Sequence, residues 1–396
     1  MPMPRRLKFW TSPAEAVVYI TLLLFIIGAV NVFSASFVLA GQVFNDSYFF
    51  LKRHLLSFVF GLAGMFIAAH MDYRKMKNGL MIIILATMGM LLAVHFSGVD
   101  ANGARRWLNL GIKFQPSEIA KLTVIIIAAC YLGPKVDRRR QVSLFSAPVF
   151  LSMIMGALVL KQPDMGTAVI IVGLCLVLYM IAGLPGYQKF LLYGGGGVML
   201  LYLTYAATYR AERIAAWLNP WAYQQTTGYQ TVQSLLAIGS GGFFGTGLGM
   251  GASKFYYLPE AHTDFAFSVL CQEMGFAGVL VVLVLIAMLG CYGGQIANKA
   301  SDGFGKILAT GIMALIVGQA VFNIAMVSGL LPVIGVPLPF ISFGGTSLIV
   351  NMTAIGMLVS IGRRAQQMEQ QAAVPRDPGP PKRTRLKLVS KSVSEG

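Results

Sequence analysis

The sequence predicts an all-α polytopic membrane protein with ten transmembrane helices and a long extracytoplasmic loop between helices 7 and 8. Hydrophobic residues make up 56% of the 396 residues, whereas charged residues make up only 12%. That charged share is about half of what a soluble domain carries. The apolar residues also collect in runs, each near the roughly 20 residues that a helix needs to cross a bilayer.

Ten apolar runs are predicted to span the membrane, and a break at Gln162 and Pro163 separates the fifth run from the sixth. The runs cover residues 14–40, 55–71, 79–97, 116–133, 146–162, 166–184, 189–208, 265–292, 307–328 and 344–362. They form one membrane domain over residues 14–362, which follows a short basic segment, residues 1–13. The tail, residues 363–396, is basic and rich in proline, and we expect it to be disordered.

The distribution of positive charge predicts the orientation. The net charge is +16, and most of the 31 lysines and arginines lie in short loops and in the tail, beside apolar runs. The positive-inside rule then places both termini in the cytoplasm and the long loop, residues 209–264, outside the cytoplasmic membrane. The same distribution argues against nucleic acid as a partner.

Three ionisable residues inside or beside predicted spans form a candidate ion network: Glu118, Lys121 and Asp164. Glu118 and Lys121 are three residues apart, so a helix places them on one face. We expect Lys121 to pair with Asp164 and with Glu118. One interpretation is purely structural, and the other makes the network the floor of a polar cavity, because ionisable groups within a membrane are commonly functional.

A basic and aromatic patch precedes the fourth run, at Arg105, Arg106, Trp107 and Lys113. Arginine presents a planar fork that suits phosphate oxygens, and tryptophan favours the bilayer interface. The patch therefore predicts binding of a lipid that carries a phosphate or pyrophosphate. Ordinary contact with lipid head groups is the competing interpretation.

The long loop adds two cations, Arg210 and Arg213, and ends in an acidic and histidine-containing segment. Asp264 is a candidate general base if burial raises its pKa, and His262 is a second candidate for substrate contact. A carboxylate at this position could instead cap the next helix. No cluster of His, Asp or Glu has the spacing of metal ligands, so no metal site is predicted.

Two further stretches of the loop have recognisable character. Residues 228–239 are predicted to form an amphipathic helix that lies along the membrane. Residues 239–251 are rich in glycine but lack the ending of a nucleotide-binding loop and follow no strand. We therefore expect these glycines to allow tight turns and close approach of a ligand.

Five motifs in this order resemble the SEDS (shape, elongation, division and sporulation) family of RodA and FtsW proteins. They are GARRWLNLG followed by FQPSEIAKL, KQPDMGTA, GYQTVQSLLAIGSGG, LPEAHTDF and GLLPVIGVPLPFISFGGTS. The resemblance covers about residues 14–362. It implies a peptidoglycan glycosyltransferase of the bacterial cytoplasmic (inner) membrane that polymerises lipid II on the extracytoplasmic face.

The resemblance also implies roles for particular residues. The family's essential acidic residue falls on Asp264, and the ion network and the ARRW motif match family positions. Asp264 would take the proton from the acceptor hydroxyl in one inverting displacement. The arginines would stabilise the leaving undecaprenyl pyrophosphate, and a divalent cation could share that work, although the sequence has no dedicated site for it.

The implied partners are a class B penicillin-binding protein and other membrane proteins of the divisome or elongasome. PWAYQQTTGYQ, LPEAHTDF and the basic tail favour the FtsW-like, division side, whereas KQPDMGTA and VIGVPLPF also suit RodA-like members of the elongation side. Two alternatives remain at this point. One is a lipid II flippase that uses the same cavity without a base, and the other is a non-catalytic scaffold for the penicillin-binding protein.

Overall fold

The computed structural model describes residues 10–101, 104–109, 113–205, 208–252 and 258–373. Within these residues the chain forms twelve α-helices and one antiparallel sheet of three strands. The helices are α1 (Pro13–Phe44), α2 (Phe49–His70), α3 (Leu80–Ser97), α4 (Pro116–Asp137), α5 (Ala147–Leu160), α6 (Met165–Ile181), α7 (Gly186–Tyr205), α8 (Thr208–Leu218), α9 (Tyr229–Ser240), α10 (Ala266–Lys299), α11 (Gly303–Val327) and α12 (Gly345–Ala373). The strands are β1 (Val99–Ala101), β2 (Ala104–Asn109) and β3 (Lys113–Phe114).

Each predicted span contains a helix, and the helices α1 to α7, α10, α11 and α12 match the ten runs in order. Seven of the described helices are long and apolar enough to cross a membrane, namely α1, α2, α3, α4, α10, α11 and α12. The helices α5 and α6 are shorter and also apolar. The all-α polytopic class is therefore confirmed, and α5 and α6 are separate helices as predicted.

Three helices lie at the centre of the bundle. Each helix has an apolar stretch of 18 residues, and in α4, α11 and α12 the buried share of that stretch is 67%, 61% and 83%. In α2 and α3 it is 17%. Small residues allow such helices to approach closely. Gly133 of α4, for example, lies so close to the backbone of Phe304 on α11 that a Cβ atom at Gly133 would be 2.6 Å from the Phe304 nitrogen. The centre is therefore built by helices that touch backbone to backbone.

The small sheet between α3 and α4 was not predicted from the sequence. The central strand β2 pairs with β1 through Arg105 and Asp100 and with β3 through Asn109 and Lys113. Its strands are short and carry arginines and asparagines, so they lack the alternating apolar pattern that identifies a half-buried strand. The sheet gives the Arg105–Trp107 segment a fixed backbone.

The long segment between α7 and α10 contains two helices and packs onto the bundle. The helix predicted over residues 228–239 is α9. Its Ser234 hydroxyl lies 2.8 Å from the Ser268 hydroxyl of α10 and donates to the carbonyl of Val327, on α11, over 2.6 Å. One face of α9 is therefore held by the spans rather than by lipid.

The helix α10 is interrupted at Gly275, whose φ of 63° and ψ of −167° are not helical. The glycine-rich stretch 239–251 supplies hydrogen bonds around this break. The amides of Phe276 and Ala277 donate to the carbonyls of Gly242 and Phe243, and the amides of Thr246 and Gly247 donate to the carbonyls of Gln272 and Glu273, all over 2.9–3.1 Å. Because an unpaired backbone group is costly within a membrane, the loop and the broken helix form one unit.

The buried carboxylate of Glu273 strengthens that unit. It accepts hydrogen bonds from the Ser34 hydroxyl of α1 over 2.7 Å and from the amide of Gly249 over 3.0 Å. Its side chain thus connects three parts of the structure, namely α1, the glycine-rich stretch and α10.

The opposite end of the bundle is held by ion pairs between loops and α12. Asp302 accepts hydrogen bonds from the Tyr73 hydroxyl over 2.8 Å and from Arg74 Nε over 2.7 Å. Arg364 of α12 donates to Asp72 over 3.0 Å.

The first residues of the predicted tail are helical. Residues 363–373 were predicted to be disordered, but they continue α12, which ends at Ala373. A helix-forming sequence follows the span there, and Arg364 is paired.

Close packing at Gly28 gives a stability prediction. A Cβ atom at Gly28 of α1 would meet the carbonyl oxygen of Phe340 and would be 2.6 Å from the Cα of Ile341. We expect Gly28→Ala to destabilise the protein by about 1–3 kcal/mol, the usual cost of overpacking. The measurement is the thermal unfolding of the purified protein in detergent.

The matched control is Gly173→Ala on α6, because no atom lies within 4 Å of a Cβ atom at Gly173. That variant is expected to unfold at or above the wild-type temperature, since alanine favours helix over glycine. Equal melting of the two variants would show that the contact of α1 with residues 340 and 341 is not close-packed.

Candidate active site

Asp264 lies in the turn that enters α10, at the end of the bundle called here the Asp264 end. Its carbonyl oxygen accepts a hydrogen bond from Asn323 Nδ2 over 2.7 Å. Its carboxylate faces Gly335, where an added Cβ atom would be 3.3 Å from Asp264 Oδ2. Among the residues that the structure describes, no donor makes a hydrogen bond to this carboxylate, so its oxygens are available to accept a proton.

The interpretation of Asp264 as a helix cap is not supported by the geometry. The cap position of α10 is Phe265, and no side chain makes the capping hydrogen bond. The Thr263 hydroxyl donates instead to Glu260, over 2.7 Å. Asp264 therefore does not have the common structural role of a carboxylate at a helix start.

The charges around Asp264 set its proton affinity. Burial and the negative charges of Glu260 and Asp164 together raise the pKa of the Asp264 carboxyl to about 7, although the positive charge of Arg106 lowers it. A carboxyl with this pKa is half ionised near neutral pH. That is the range in which a general base is most effective at physiological pH.

Asp164 lies at the start of α6 and caps that helix. Its carboxylate accepts hydrogen bonds from the amide and the hydroxyl of Thr167 over 3.1 Å and 2.9 Å, and from Gln115 over 3.4 Å. Aspartate is among the best residues for this role because its oxygens satisfy free amides of the first turn. Asp164 is 4% exposed, and its charge acts on Asp264 from a fixed position.

Lys121 pairs with Glu118, and the predicted pair of Lys121 with Asp164 is wrong. The Lys121 ammonium lies 2.8 Å from Glu118 Oε2 and donates to Gln319 Oε1 over 2.9 Å. The spacing of three residues on α4 brings the first pair together, while the oxygens of Asp164 are engaged by Thr167 and Gln115. Lys121 is 1% exposed and Glu118 is 3% exposed, so the pair is fully inside the bundle.

Arg106 is tethered at the corner between α5 and α6. Its guanidinium donates to the carbonyl of Gln162 over 3.3 Å and to the carbonyl of Pro163. Both carbonyls lie in the turn between α5 and α6 and not inside a helix. Arg106 thereby lies close enough to Asp264 to lower the pKa of that carboxyl.

The rest of the predicted basic patch lies on the same sheet. Arg105 and Lys113 are exposed, and Trp107 is half-buried. The predicted basic patch therefore lies at the surface of the protein. The predicted contact of Arg105, Trp107 and Lys113 with phosphate stays a prediction.

Arg213 lies at a separate cavity of about 310 Å³. The cavity is lined by Arg213, Ala216, Trp217, Thr226, Thr227, Tyr229, Gln230, Thr231, Pro259 and Val333. The Trp217 indole donates to the carbonyl of Gly329 over 3.0 Å, which fixes one wall. Arg210 lies on α8, and its side chain is outside the described part of the chain, so its predicted role stays a prediction.

His262 is packed among aromatic rings. Its ring lies 4.3 Å from the ring of Phe50 and 5.8 Å from that of Phe343, between centroids, and its carbonyl accepts from the Phe343 amide over 2.9 Å. Burial lowers the pKa of His262, and the negative charge of Glu260 opposes that change. The described contacts favour a packing role, and the predicted contact with substrate stays a prediction.

A family model for FtsW, RodA and SpoVE, described as cell cycle proteins, matches residues 14–367. The chain belongs to the FtsW/RodA/SpoVE family. The resemblance found in the five sequence motifs is thereby confirmed. The match covers the whole helical bundle described above, including Asp264, the ion pair and the sheet.

Curated relatives and solved structures agree with the FtsW/RodA/SpoVE assignment. A probable peptidoglycan glycosyltransferase FtsW of Geobacter sp. (strain M18) is 41% identical over 345 residues, which cover 85% of this chain and 93% of the relative. Stage V sporulation protein E of Bacillus subtilis (strain 168) is 40% identical over 360 residues, 89% of this chain and 98% of the relative.

Two solved structures have the same fold. A chain from work on structural coordination of polymerization and crosslinking by a peptidoglycan synthase complex has a TM-score of 0.74 and 27% identity, and the match covers 90% of this chain and 100% of that one. The rod shape determining protein RodA of Thermus thermophilus has a TM-score of 0.66 and 25% identity, over 91% of this chain and 99% of that one.

Sequence reasoning missed several neutral polar residues of this FtsW/RodA/SpoVE bundle. Gln319 and Asn323 lie on α11, and they contact Lys121 and the backbone of Asp264. Their signal was available, because two amide side chains four residues apart inside an apolar run share one helix face. Only ionisable residues were predicted to have a function within the membrane.

The described residues also bear on the divalent cation named above. Within the part of the chain that the structure describes, no three His, Cys, Asp or Glu side chains come together as a group that could hold a metal ion. The residues present therefore do not form a protein cage for a cation. The expected divalent cation stays a prediction, and no reaction step is assigned to it.

The corrected pairing of Lys121 gives a prediction. Lys121→Met is expected to destabilise the protein by about 3–5 kcal/mol, because it leaves Glu118 buried and unpaired. Adding Glu118→Gln should recover most of that loss, because it removes the uncompensated charge. Thermal unfolding in detergent of the single and double variants measures both effects.

Asp164→Asn combined with Lys121→Met is the control pair. No recovery is expected there, because Asp164 accepts hydrogen bonds from Thr167 and Gln115 and not from Lys121. If stability recovered with Asp164→Asn and not with Glu118→Gln, Lys121 would be paired with Asp164 and not with Glu118.

Proposed function

We propose that this chain is a peptidoglycan glycosyltransferase that polymerises lipid II into β-1,4 glycan strands, with Asp264 as the general base. One observation carries the assignment of the base: a carboxyl group with a pKa of about 7 and no hydrogen-bond donor among the described residues, at one end of a membrane bundle. The enzyme class is supported by the FtsW relatives, which are named as peptidoglycan glycosyltransferases.

The reaction follows from the stereochemistry of donor and product. The donor carries an α-linked pyrophosphate and the product linkage is β, so a single inverting displacement suffices. The acceptor 4-hydroxyl oxygen forms a bond to the anomeric carbon of the donor while Asp264 takes the hydroxyl proton. The bond from that carbon to the pyrophosphate oxygen breaks, and undecaprenyl pyrophosphate leaves with the electron pair.

The leaving group gains negative charge, and fixed cations stabilise that charge in the transition state. Arg106 is the best placed candidate, because its charge acts on Asp264 and its guanidinium is anchored to two carbonyls. The exposed Arg105 on the same strand is the next. Arg213 lies at the separate cavity beside Trp217, so we assign it to a more distant part of the substrate.

We propose that the chain crosses the bacterial cytoplasmic membrane ten times, with α5, α6 and α7 added to the seven long spans. Both termini are then cytoplasmic, and the Asp264 end is extracytoplasmic. The positive-inside rule supports this orientation. The opposite end carries short basic segments such as Arg74–Lys77, as well as Arg363 and Arg364.

We propose a class B penicillin-binding protein as the partner that cross-links the strands, together with other membrane proteins of the divisome. The similarity to a chain of a peptidoglycan synthase complex supports this pairing. Several curated relatives are named FtsW, and these names support a role in division over elongation.

A lipid II flippase is the competing function. It would use the same polar groups but would not need a proton acceptor. The relatives named as peptidoglycan glycosyltransferases favour the enzyme, whereas a carboxyl that titrates near neutral pH would also suit a proton-coupled transporter. Purified protein with radiolabelled lipid II separates the two functions: glycan polymer in detergent indicates the enzyme, and translocation in vesicles without polymer indicates the flippase.

Replacement of the base tests the assignment directly. Asp264→Asn is expected to abolish polymerisation of lipid II by the purified complex with its transpeptidase, because the amide cannot accept the proton. The variant should fold at least as well as the wild type at pH 8, since it removes a buried charge. Product is measured on gels that resolve glycan strands.

Asp46→Asn is the matched control, because Asp46 is a carboxylate on a loop at the same end. It forms an ion pair with the exposed Lys52 and accepts a hydrogen bond from the Tyr48 amide. The Asp46→Asn variant should retain wild-type activity. Polymer made by a well-folded Asp264→Asn variant at near wild-type rate would remove Asp264 as the base.

The pH dependence of the rate tests the charge environment. Activity needs ionised Asp264, so kcat/KM should rise with pH through about 7, the pKa of this carboxyl. Glu260→Gln removes a negative charge that raises this pKa, so the rise should move to lower pH. The measurement is initial polymerisation rate between pH 5 and pH 9.

The control is again Asp46→Asn, which should leave the profile in place. A rise that stays at the same pH in Glu260→Gln, or moves to higher pH, would show that another group controls the profile.

A further inference from the structure

We propose that Asn323 of α11 is a positioning residue that fixes the backbone of Asp264 against the loop of residues 328–344. This inference rests on the proposed function, because it concerns how the base is held. Asn323 does not touch the reacting atoms. It acts through the peptide group of Asp264 and through the wall that faces the carboxylate.

The hydrogen bonds of Asn323 determine which way its amide points. Its Nδ2 donates to the carbonyl of Asp264 over 2.7 Å and to the carbonyl of Val336 over 2.6 Å. Both partners are acceptors, so only the NH₂ group can face them, and both of its hydrogens are used. Asn323 is completely buried, and its Oδ1 has no hydrogen-bond partner among the described residues. The side chain is therefore committed to these two carbonyls.

The same two bonds place the wall of the site. Val336 follows Gly335, which has a φ of 68° and whose Cβ position would be 3.3 Å from Asp264 Oδ2. A left-handed φ and this short distance together favour glycine. Because Asn323 binds Val336 and Asp264 at once, it sets the distance between the base and the backbone that faces it.

A second amide, one turn earlier on α11, holds the next part of the loop. Gln319 Nε2 donates to the carbonyl of Pro337 over 2.9 Å, while Gln319 Oε1 accepts from the Lys121 ammonium. Residues four apart lie on one helix face. The ion pair of Lys121 and Glu118 is thus connected through Gln319 to the same loop that Asn323 connects to Asp264.

Asn31 of α1 holds the neighbouring residue from another helix. Its Nδ2 donates to the carbonyl of Ala266 over 2.9 Å, and it is 5% exposed. Two buried asparagines, from α1 and α11, therefore bind the chain at residues 264 and 266. Ala266 is the first residue of α10, so we expect this second bond to matter less for the carboxylate itself.

The consequence for catalysis is geometric. A general base must lie within hydrogen-bond reach of its proton when the substrate is bound, and a misplacement of about 1 Å can cost on the order of 100-fold in rate. Loss of the Asn323 bonds should therefore lower kcat more than it changes KM. A residue that only stabilised the fold would lower the amount of active protein and leave both constants of the folded fraction unchanged.

The experiment compares Asn323→Leu, Asn323→Gln and Asn351→Leu in the complex with the transpeptidase. Leucine has nearly the shape of asparagine without the donors, and glutamine keeps the donors on a longer chain. Asn351 is the matched control, because it is a buried asparagine within α12 whose side chain, among the described residues, bonds only to Ser347, four residues earlier. Folded protein is quantified by its unfolding transition in detergent.

We expect kcat of folded Asn323→Leu to fall on the order of 10- to 100-fold, with KM within about threefold of wild type. Asn323→Gln should recover part of the rate, and Asn351→Leu should keep wild-type constants. Wild-type kcat in folded Asn323→Leu would overturn the proposal, as would an equal loss in Asn351→Leu. If Asn323→Leu does not fold, Asn323→Gln is judged by the same criteria: a lower kcat with KM within about threefold of wild type supports the proposal, and a wild-type kcat overturns it.

A second readout does not depend on activity. The pKa of the Asp264 carboxyl is raised from its ordinary value of 3.8 to about 7 in the folded protein. The stability of the wild type should therefore fall as pH rises from about 4 to about 7, and this fall should be missing in Asp264→Asn. In Asn323→Leu the released segment admits water, so the fall should end at a lower pH. A fall that ends at the same pH as in the wild type contradicts the proposal. If the wild type makes no polymer, the proposed function fails, while this titration still tests the positioning of Asp264.

Discussion

The buried ammonium of Lys121 is the constraint around which the polar groups of this bundle are arranged. A lone charge within a membrane protein is costly unless it is paired and hydrogen-bonded. Glu118 supplies the opposite charge, and Gln319 supplies a carbonyl oxygen. The NH₂ group of Gln319 donates to the carbonyl of Pro337 in the 328–344 loop. The same side chain that stabilises the Lys121 charge therefore also holds a loop at the Asp264 end.

At the Asp264 end the backbone is irregular, and a few polar side chains form hydrogen bonds with its carbonyls and amides. Arg106 bonds the carbonyls at the proline corner, Asp164 caps α6, and Asn323 bonds two loop carbonyls. Each contact compensates backbone groups that no helix satisfies. These contacts surround the carboxylate of Asp264, which makes no such bond to a backbone group in the described structure.

The sequence was sufficient for the helices, because apolar runs of sufficient length are a local feature. A carboxylate at the end of a long loop made Asp264 a candidate base, and its role in the reaction stays a proposal. The partner of Lys121 was predicted wrongly, since the choice between Glu118 and Asp164 depends on how α4 and α6 pack. The sheet and the break of α10 at Gly275 also depend on tertiary hydrogen bonds that no local pattern shows.

The break at Gly275 has a consequence for biosynthesis. The stretch that satisfies the broken helix, residues 241–247, precedes residues 272–277 in the chain, and so the ribosome produces it first. When the second half of α10 leaves the translocon, its hydrogen-bond partners are already synthesised and close by in sequence. A helix that would be incomplete on its own can therefore enter the lipid with its exposed amides and carbonyls already matched.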